Sequence, residues 1–506
     1  MSFKRSVLTL AMLVAVFSLG AIQVFASPVL IKLELAGQSD YQKAKALNVV
    51  AYQRFGNLFI AEFEKSDIKA LDDAGLTYQI IDEEPWTQSY YVISPSESYE
   101  KVDLSQYGQV LVQAGNFYFL KISTEDAKSL AEKGYHIAKV FRYAIPLKYK
   151  PVTKELPKTL PYSPSIDSLL SLISVDSLYA WTLRLQNFKT RYSYSDSVYR
   201  ARDWIRDKFA SFDIDSIWFH HYYNDSDQYN VVATVVGTVR PDRLLVVGGH
   251  YDSVVYGSGT DPYTWAPGAD DNATGAVATL EMARIVAQHP LPVTVMFVPF
   301  AQEEQGLVGS RYFAQYLRYQ GIEVDLMINS DMIAHNPAAD TLVKIYADDG
   351  VMPFVDLMMD MANTYTSLTA SYWGQSGGSD HYSFYSYSYD AVFSHEWNFF
   401  SNGWHKNYDV VDSLDFNYMR EVVKMDLATL ITVARSIGVK AGDVNKDGLI
   451  NIADIAFLIN YLFVNGPVPD PTFLGDVTCD GQINAEDVTF LINYLFVYGP
   501  PPPIAC

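Results

Sequence analysis

Three short apolar runs in the middle of this chain each end directly in side chains that can bind a cation or move a proton. Leu244-Leu245-Val246-Val247 leads into Gly249-His250-Tyr251-Asp252, Val295-Met296-Phe297-Val298 into Gln302-Glu303-Glu304, and Leu326-Met327-Ile328 into Asn329-Ser330-Asp331. Two further segments carry the same chemistry: the loop Gly268-Ala269-Asp270-Asp271-Asn272, and Gly378-Ser379-Asp380-His381 after a Gly-rich run. A lone histidine after a strand is ordinarily a core or surface residue, and paired glutamates are ordinarily solvent-facing charge. Consecutive carboxylates placed after buried strands are different, because a buried charge needs a partner or a cation. Five such pieces in one chain order form a set.

The elements that position them read as α/β. From about 165 to 438 helical stretches alternate with short β-rich strands, here Leu244–Gly248, Val293–Pro299 and Val324–Ile328, and Asp203–Phe212 continues a helix begun near Ser195. Sites in open α/β sheets sit at the carboxyl ends of the strands, so the three termini are expected to face one crevice.

Together these residues resemble metallopeptidase family 28, the co-catalytic zinc exopeptidases that include bacterial leucyl aminopeptidases, glutamate carboxypeptidases and, more distantly, glutaminyl cyclases. The resemblance covers about 190 to 438 and includes Arg191-Tyr192-Ser193, the Arg200–Phe209 helix and the tail His405-Lys406-Asn407-Tyr408-Asp409. It implies a sheet flanked by helices and two zinc ions. Carried over residue by residue, His250 and Asp331 hold one zinc, Glu304 and His381 the other, and Asp271 bridges both, with a cis peptide at Asp271–Asn272. Asp252 accepts the second ring N–H of His250 and fixes its tautomer. Glu303, adjacent to a ligand but not one itself, is the general base. Zinc accepts imidazole and carboxylate ligands and keeps open positions in catalytic sites, so water is the nucleophile and no acyl-enzyme is needed. Lys406 departs from the small hydroxyl residue many relatives carry there, which puts the pocket edge in doubt.

The flanking segments differ in kind. Lys4 and Arg5 precede an apolar run from Val7 to about Phe25, and Val24-Phe25-Ala26 precedes Ser27, which reads as a secretory signal over 1–26 cleaved after Ala26. Residues 27–145 contain a duplicated α+β pattern: Gly56-Asn57-Leu58-Phe59-Ile60 recurs as Gly115-Asn116-Phe117-Tyr118-Phe119, an offset of 59 that also carries Leu71 onto Leu130 and Gly75 onto Gly134. Ser66 caps the helix of one copy, and Ser123 or Thr124 that of the other. This region is either a propeptide that assists folding or covers the active site, or a permanent accessory domain. Residues 146–164 hold Pro146, Pro151, Pro157, Pro161 and Pro164 and read as an extended linker, followed by the catalytic domain at 165–438.

The tail, 439–506, carries a twelve-residue calcium-loop pattern twice: Asp443, Asn445, Asp447, Asn451 and Asp454, with Gly448 at the turn, then Asp476, Thr478, Asp480, Asn484 and Asp487 thirty-three residues on. Each loop runs into the same helix, Phe-Leu-Ile-Asn-Tyr-Leu-Phe, beginning at Phe457 and at Phe490. The duplicated loop and helix, with Asp in the twelfth position, resembles type I dockerins, a small all-α module that binds two calcium ions and has a cohesin as its partner. From 441 onward eight acidic residues face one lysine, a balance of −7, so folding is expected to need calcium. Cys479 and Cys506 are the only cysteines, and export permits a disulfide between them.

Composition fits this reading. The 506 residues are 49% hydrophobic and 19% charged, which excludes a largely disordered chain and suits several domains. With 37 basic and 58 acidic side chains the net charge is −21, and no basic footprint for nucleic acid stands out. No later stretch is long and apolar enough to span a bilayer. The expected protein is an exported dizinc aminopeptidase acting on peptides with a free N-terminus, tethered through its tail to a surface scaffold. Glutaminyl cyclization, carboxypeptidase activity and a purely binding role are the alternatives.

Overall fold

The computed structural model describes residues 27–97, 99–149, 162–400, 403–438, 441–447, 449–469 and 472–502. The predicted signal segment, the linker between 150 and 161, Gly448 and Cys506 lie outside the described residues.

The duplication at the N-terminal end is a duplication of fold. The first copy holds β1 (Pro28–Glu34), β2 (Val50–Phe55), β3 (Leu58–Glu64) and β4 (Thr77–Asp82) in one sheet, ordered β2-β3-β1-β4. The second holds β5 (Ser89–Pro95), β6 (Gly108–Ala114), β7 (Phe117–Ile122) and β8 (Tyr135–Val140), ordered β6-β7-β5-β8. Position for position this is the same topology. Gly56 and Gly115 both turn their hairpins at φ +60°, where a Cβ would be strained. Leu71 and Leu130, matched by the repeat, are each fully buried. Ser123 caps the helix Thr124–Glu132 by accepting from the Asp126 N–H at 3.0 Å. Ser66 does not repeat this role: it lies in a 3-10 turn, Lys65–Asp67, and the helix Lys69–Asp73 begins at Ile68 without a side-chain cap.

The chain divides into two compact units between Thr87 and Gln88. One comprises the first copy with Arg142–Tyr149; the second copy clusters with everything that follows the linker.

In that second unit an eight-stranded sheet is built from β9 (Ser216–Asn224), β10 (Ser226–Val235), β11 (Arg240–His250), β12 (Val293–Phe300), β13 (Leu326–Ser330), β14 (Leu342–Ala347), β15 (Thr369–Tyr372) and β16 (Ala391–Glu396). Its order is β15-β14-β16-β13-β11-β12-β10-β9. The central strands β12, β11, β13 and β16 run parallel, and their register sets Leu245 beside both Val295 and Leu326 and pairs Ile328 with Val392. Both faces of this sheet are covered, as near-continuous apolar strands require. Val295 and Phe297 enter a core shared with Ala276, Leu280 and Ala283 of the helix Gly275–Gln288. Phe300, of opposite parity, meets Phe313 and Phe384 from the helices Val308–Tyr319 and His381–Ser386. His250 pairs with Phe300, the last residue of β12, and Gly248 with Asn329 near the end of β13. The three strands therefore release their polar termini on one edge.

At the tail, the helices Ile452–Val464 and Ala485–Phe496 pack through Ile455, Leu458, Val488 and Leu491. Among the described residues no helix is long and apolar enough to cross a membrane.

Candidate metal centre

His250 ends β11, Asp331 follows β13 directly, Glu303 and Glu304 lie in the turn after β12, and Asp271 sits in the loop before the helix Gly275–Gln288. Strand register brings them together. His250 Nε2 is 3.3 Å from Asp271 Oδ1, 3.5 Å from Asp331 Oδ2 and 3.8 Å from Glu303 Oε2. A second histidine approaches from the other side: His405 Nε2 is 2.8 Å from Glu304 Oε2 and 3.2 Å from Asp271 Oδ2. Two groups capable of holding a metal result, His250–Asp271–Asp331 and Asp271–Glu304–His405, sharing Asp271.

Sequence reasoning assigned the place of His405 to His381, and this is corrected. His381 is buried, stacks on Phe393 at 4.8 Å between ring centroids, and joins neither group. Burial lowers its pKa to about 3, so the ring is neutral packing rather than part of the charge cluster. No apolar strand leads into His405, and the family resemblance as carried over used it only as part of the tail motif. Its signal was the tail run in which it lies, His405 to Asp409, and both ends of that run serve the site: Asp409 Oδ1 and Oδ2 accept the main-chain N–H groups of Asp270 (2.8 Å) and Asp271 (3.0 Å).

The supports explain how a loop holds a carboxylate in place. The buried Arg191 guanidinium donates to the carbonyls of Tyr251 (2.7 Å), Pro267 (2.6 Å) and Gly268 (2.6 Å), tying the His250 strand end to the Asp271 loop. Asn272 Nδ2 donates to the Ser330 carbonyl at 3.0 Å, and the Asp271–Asn272 peptide is cis. Asp252 braces the Glu303-Glu304 turn: its Oδ1 accepts from the Glu303 N–H (3.1 Å) and its Oδ2 from the Glu304 N–H (3.3 Å). It also lies beside His250, whose Nδ1 is 3.2 Å from the Asp252 main-chain oxygen and 3.5 Å from Oδ1. Ser379 donates to Asp331 Oδ2 at 2.6 Å. Lys406, the departure noted in the sequence, donates to the Tyr256 carbonyl at 3.1 Å.

The electrostatics call for cations. Burial pulls His405 down, but Glu304 and Asp271 push it up to about 10; burial likewise opposes His250, which Glu303 and Asp331 raise well above the ordinary imidazole range. Asp271 is held low by the two imidazoles in spite of its burial, while burial lifts Glu304 to about 7 and Glu303 well above the usual carboxylate range. Four carboxylates share two imidazoles, and Glu304 Oε1 and Asp331 Oδ1 are buried without a hydrogen-bond partner. A buried carboxylate oxygen left unpaired is costly, and imidazole with carboxylate is a donor set that suits zinc. The residues fit the metal.

In the tail each predicted loop closes on its final aspartate. Asp454 Oδ1 accepts from the Val444 (2.7 Å) and Asn445 (3.1 Å) N–H groups, and Asp487 Oδ1 from Thr478 N–H at 3.0 Å. Asn451 with Asp454 and Asn484 with Asp487 form capping boxes that start the two helices. Asp447 N–H donates to Asp443 Oδ1 and Asp480 N–H to Asp476 Oδ1, each at 3.1 Å. Cys479 is disulfide-bonded; Cys506 lies outside the described residues.

The chain is similar to known proteins. Residues 230–430 match Peptidase family M28, and 409–463 and 441–496 match the Dockerin type I domain. A probable zinc metalloprotease of Pyrenophora teres f. teres is 33% identical over 213 residues, 37% of this chain and 45% of its own length. The chain thus spans less than half of that relative. Leucine aminopeptidase 1 of Ajellomyces capsulatus is 27% identical over 356 residues, 65% of this chain and 90% of its own. The LapA aminopeptidase structure from Legionella pneumophila shares the fold at a TM-score of 0.56 and 20% identity, covering 68% of this chain and 98% of that one. A sheet with helices on both faces, a strand-end cluster of histidine and carboxylate, and these matches agree: residues 230–430 are similar to peptidase family M28, and the tail to the dockerin type I domains.

Proposed function

We propose that the chain is an exported dizinc aminopeptidase that removes N-terminal residues from peptides. The observation that carries this reading is the sharing of Asp271 between two ligand groups, one oxygen toward His250 and the other toward His405. His250 and Asp331 would hold one ion, Glu304 and His405 the other, and Asp271 both. When bound, the ions supply Lewis-acid chemistry, polarising the scissile carbonyl and lowering the pKa of water.

The protein's own part is proton transfer and positioning. Glu303 is half-buried beside the cluster, its carboxyl held above the usual range by desolvation and by its acidic neighbours Glu304 and Asp331. Adjacent to a ligand without being one, Glu303 would take a proton from the attacking water and hand it to the leaving amine. Asp252 fixes the Glu303 main chain and flanks His250, so base and ligand move as one piece.

Two calcium ions would complete the tail through Asp443, Asn445, Asp447, Asn451 and Asp454, and through Asp476, Thr478, Asp480, Asn484 and Asp487. A folded tail would dock a cohesin-like protein and tether the exported enzyme to a scaffold.

Hydrolysis of a leucyl anilide and its N-acetylated twin tests the reading. Cleavage of the free-amine substrate alone, abolished by chelation and restored by zinc, is the expected result. Cleavage of the acetylated twin at an equal rate would rule the aminopeptidase out.

A further inference from the structure

The cavity over the His250–Asp271–His405 cluster is walled in part from far upstream: Tyr135, His136 and Ile137 of β8 line it together with Trp404 and His405. The repeat that carries β8 belongs to the same compact unit as the cluster.

Three glycines of the peptidase segment form its seat. A Cβ at Gly306 would stand 2.7 Å from the Lys139 main-chain nitrogen, one at Gly377 2.6 Å from the Phe117 ring, and one at Gly378 2.5 Å from the His136 ring. Only residues without side chains admit so close an approach. Specific contacts fasten it. Lys139 N–H donates to the Gly306 carbonyl at 3.3 Å, and Phe117 stacks on Tyr382 with centroids 5.5 Å apart and planes 15° from parallel. Lys344, in β14, has a side chain only 1% exposed, and its ammonium pairs with Glu97 of the repeat. Tyr346 donates to the same Glu97 at 3.1 Å. A buried ammonium that loses its counter-ion is strongly penalised, so this pair ties the repeat to the sheet.

We propose that residues 88–141 are an intramolecular inhibitor, in which His136 on β8 occupies the pocket that receives the substrate's N-terminal side chain. This rests on the aminopeptidase reading of the site. The His136 ring lies over Gly378, 5.5 Å from the Trp404 ring next to His405. An internal strand brings no free α-amine to the cluster, so it fills the pocket without being a substrate. Activation then requires the repeat to leave, and cutting between 150 and 161 severs its covalent tie to the peptidase segment.

The test uses the full, zinc-supplemented chain and its Glu97→Gln and His136→Gly variants, neither of which alters a proposed ligand or the base. Calorimetry reads the affinity for phenylalanine hydroxamate, a metal-binding mimic of a substrate's first residue, and an anilide assay reads kcat/KM. At least tenfold tighter hydroxamate binding in both variants, with a parallel rise in kcat/KM, is expected. Equal affinity in all three chains would overturn the inhibitor. Tighter binding without hydrolysis in any form would keep the inhibitor and sink the aminopeptidase reading instead. As a check that does not depend on single residues, protease nicking of the linker followed by removal of the N-terminal fragment should raise hydroxamate affinity by the same factor.

Discussion

The Nε2 atom of His405 stands 2.8 Å from Oε2 of Glu304, two residues 101 positions apart in the chain that close the second half of a cluster opened by His250. Asp271 turns one oxygen to each half. The two halves are thus built from different parts of the sheet edge and joined through a single side chain.

Removal of His405 and of His381 should therefore have opposite outcomes. His405→Ala is expected to hold about one zinc per chain against an expected two in the parent, and to lose most of its activity. His381→Ala, altering a ring stacked on Phe393, should keep both ions and pay only a packing cost. Metal analysis after gel filtration checks this, and a full zinc complement in His405→Ala would refute the assignment.

Glu303→Ala separates base from ligand. Losing a general base typically costs about 10²–10⁴-fold in kcat, and zinc content should not change. Retained hydrolysis would remove Glu303 from the mechanism, whereas lost zinc would make it a ligand.

Ser379 donates to Asp331 and in turn accepts from Asn329 Nδ2 at 2.7 Å. Partners that orient a metal-binding carboxylate commonly account for about 10–100-fold in metal affinity. Ser379→Ala should lower zinc affinity by that order in a chelator competition, with the fold intact by circular dichroism.

Asp426 makes stability depend on pH. It is fully buried, its Oδ2 accepts from Ser330 (2.7 Å) and Ser394 (2.9 Å), and burial pushes its pKa up to about 7. A carboxyl whose folded pKa exceeds its unfolded value favours folding fully below the unfolded value, near 4, and loses that contribution as pH rises through about 7. Asp426→Asn, which cannot ionise, should match the parent near pH 4 and exceed it in Tm above pH 7. Parallel Tm curves for the two chains would disprove this.

Calcium should govern the tail alone. The parent, with chelator, is expected to lose the protease resistance of 441–502 while the 165–438 region stays resistant, and Asp454→Ala should show the same loss with calcium present. Asp454 gathers three main-chain N–H groups, from Val444, Asn445 and Asn451, so removing its carboxylate leaves all three without that acceptor.

Much of this protein was legible in its residues because local rules carry far here. Apolar strands that end in His, Asp or Glu announce both a sheet and its working edge, and five of the predicted cluster residues, His250, Asp271, Glu303, Glu304 and Asp331, meet at that edge. The tandem repeats were visible for the same reason, since each copy repeats its own glycine turn or capping pair: Gly56 with Gly115, Asn451 with Asn484. What the sequence could not decide was anything set by a loop crossing space. His405 reaches Glu304 from a segment without strand periodicity, and the family resemblance, carried over residue by residue, gave that role to His381, which packs against a phenyl ring instead. The contact of His136 with Gly378 was equally hidden, because nothing local in either sequence encodes a meeting across 242 positions. Periodicity reports which face of an element is buried; only the packed chain decides what that face meets.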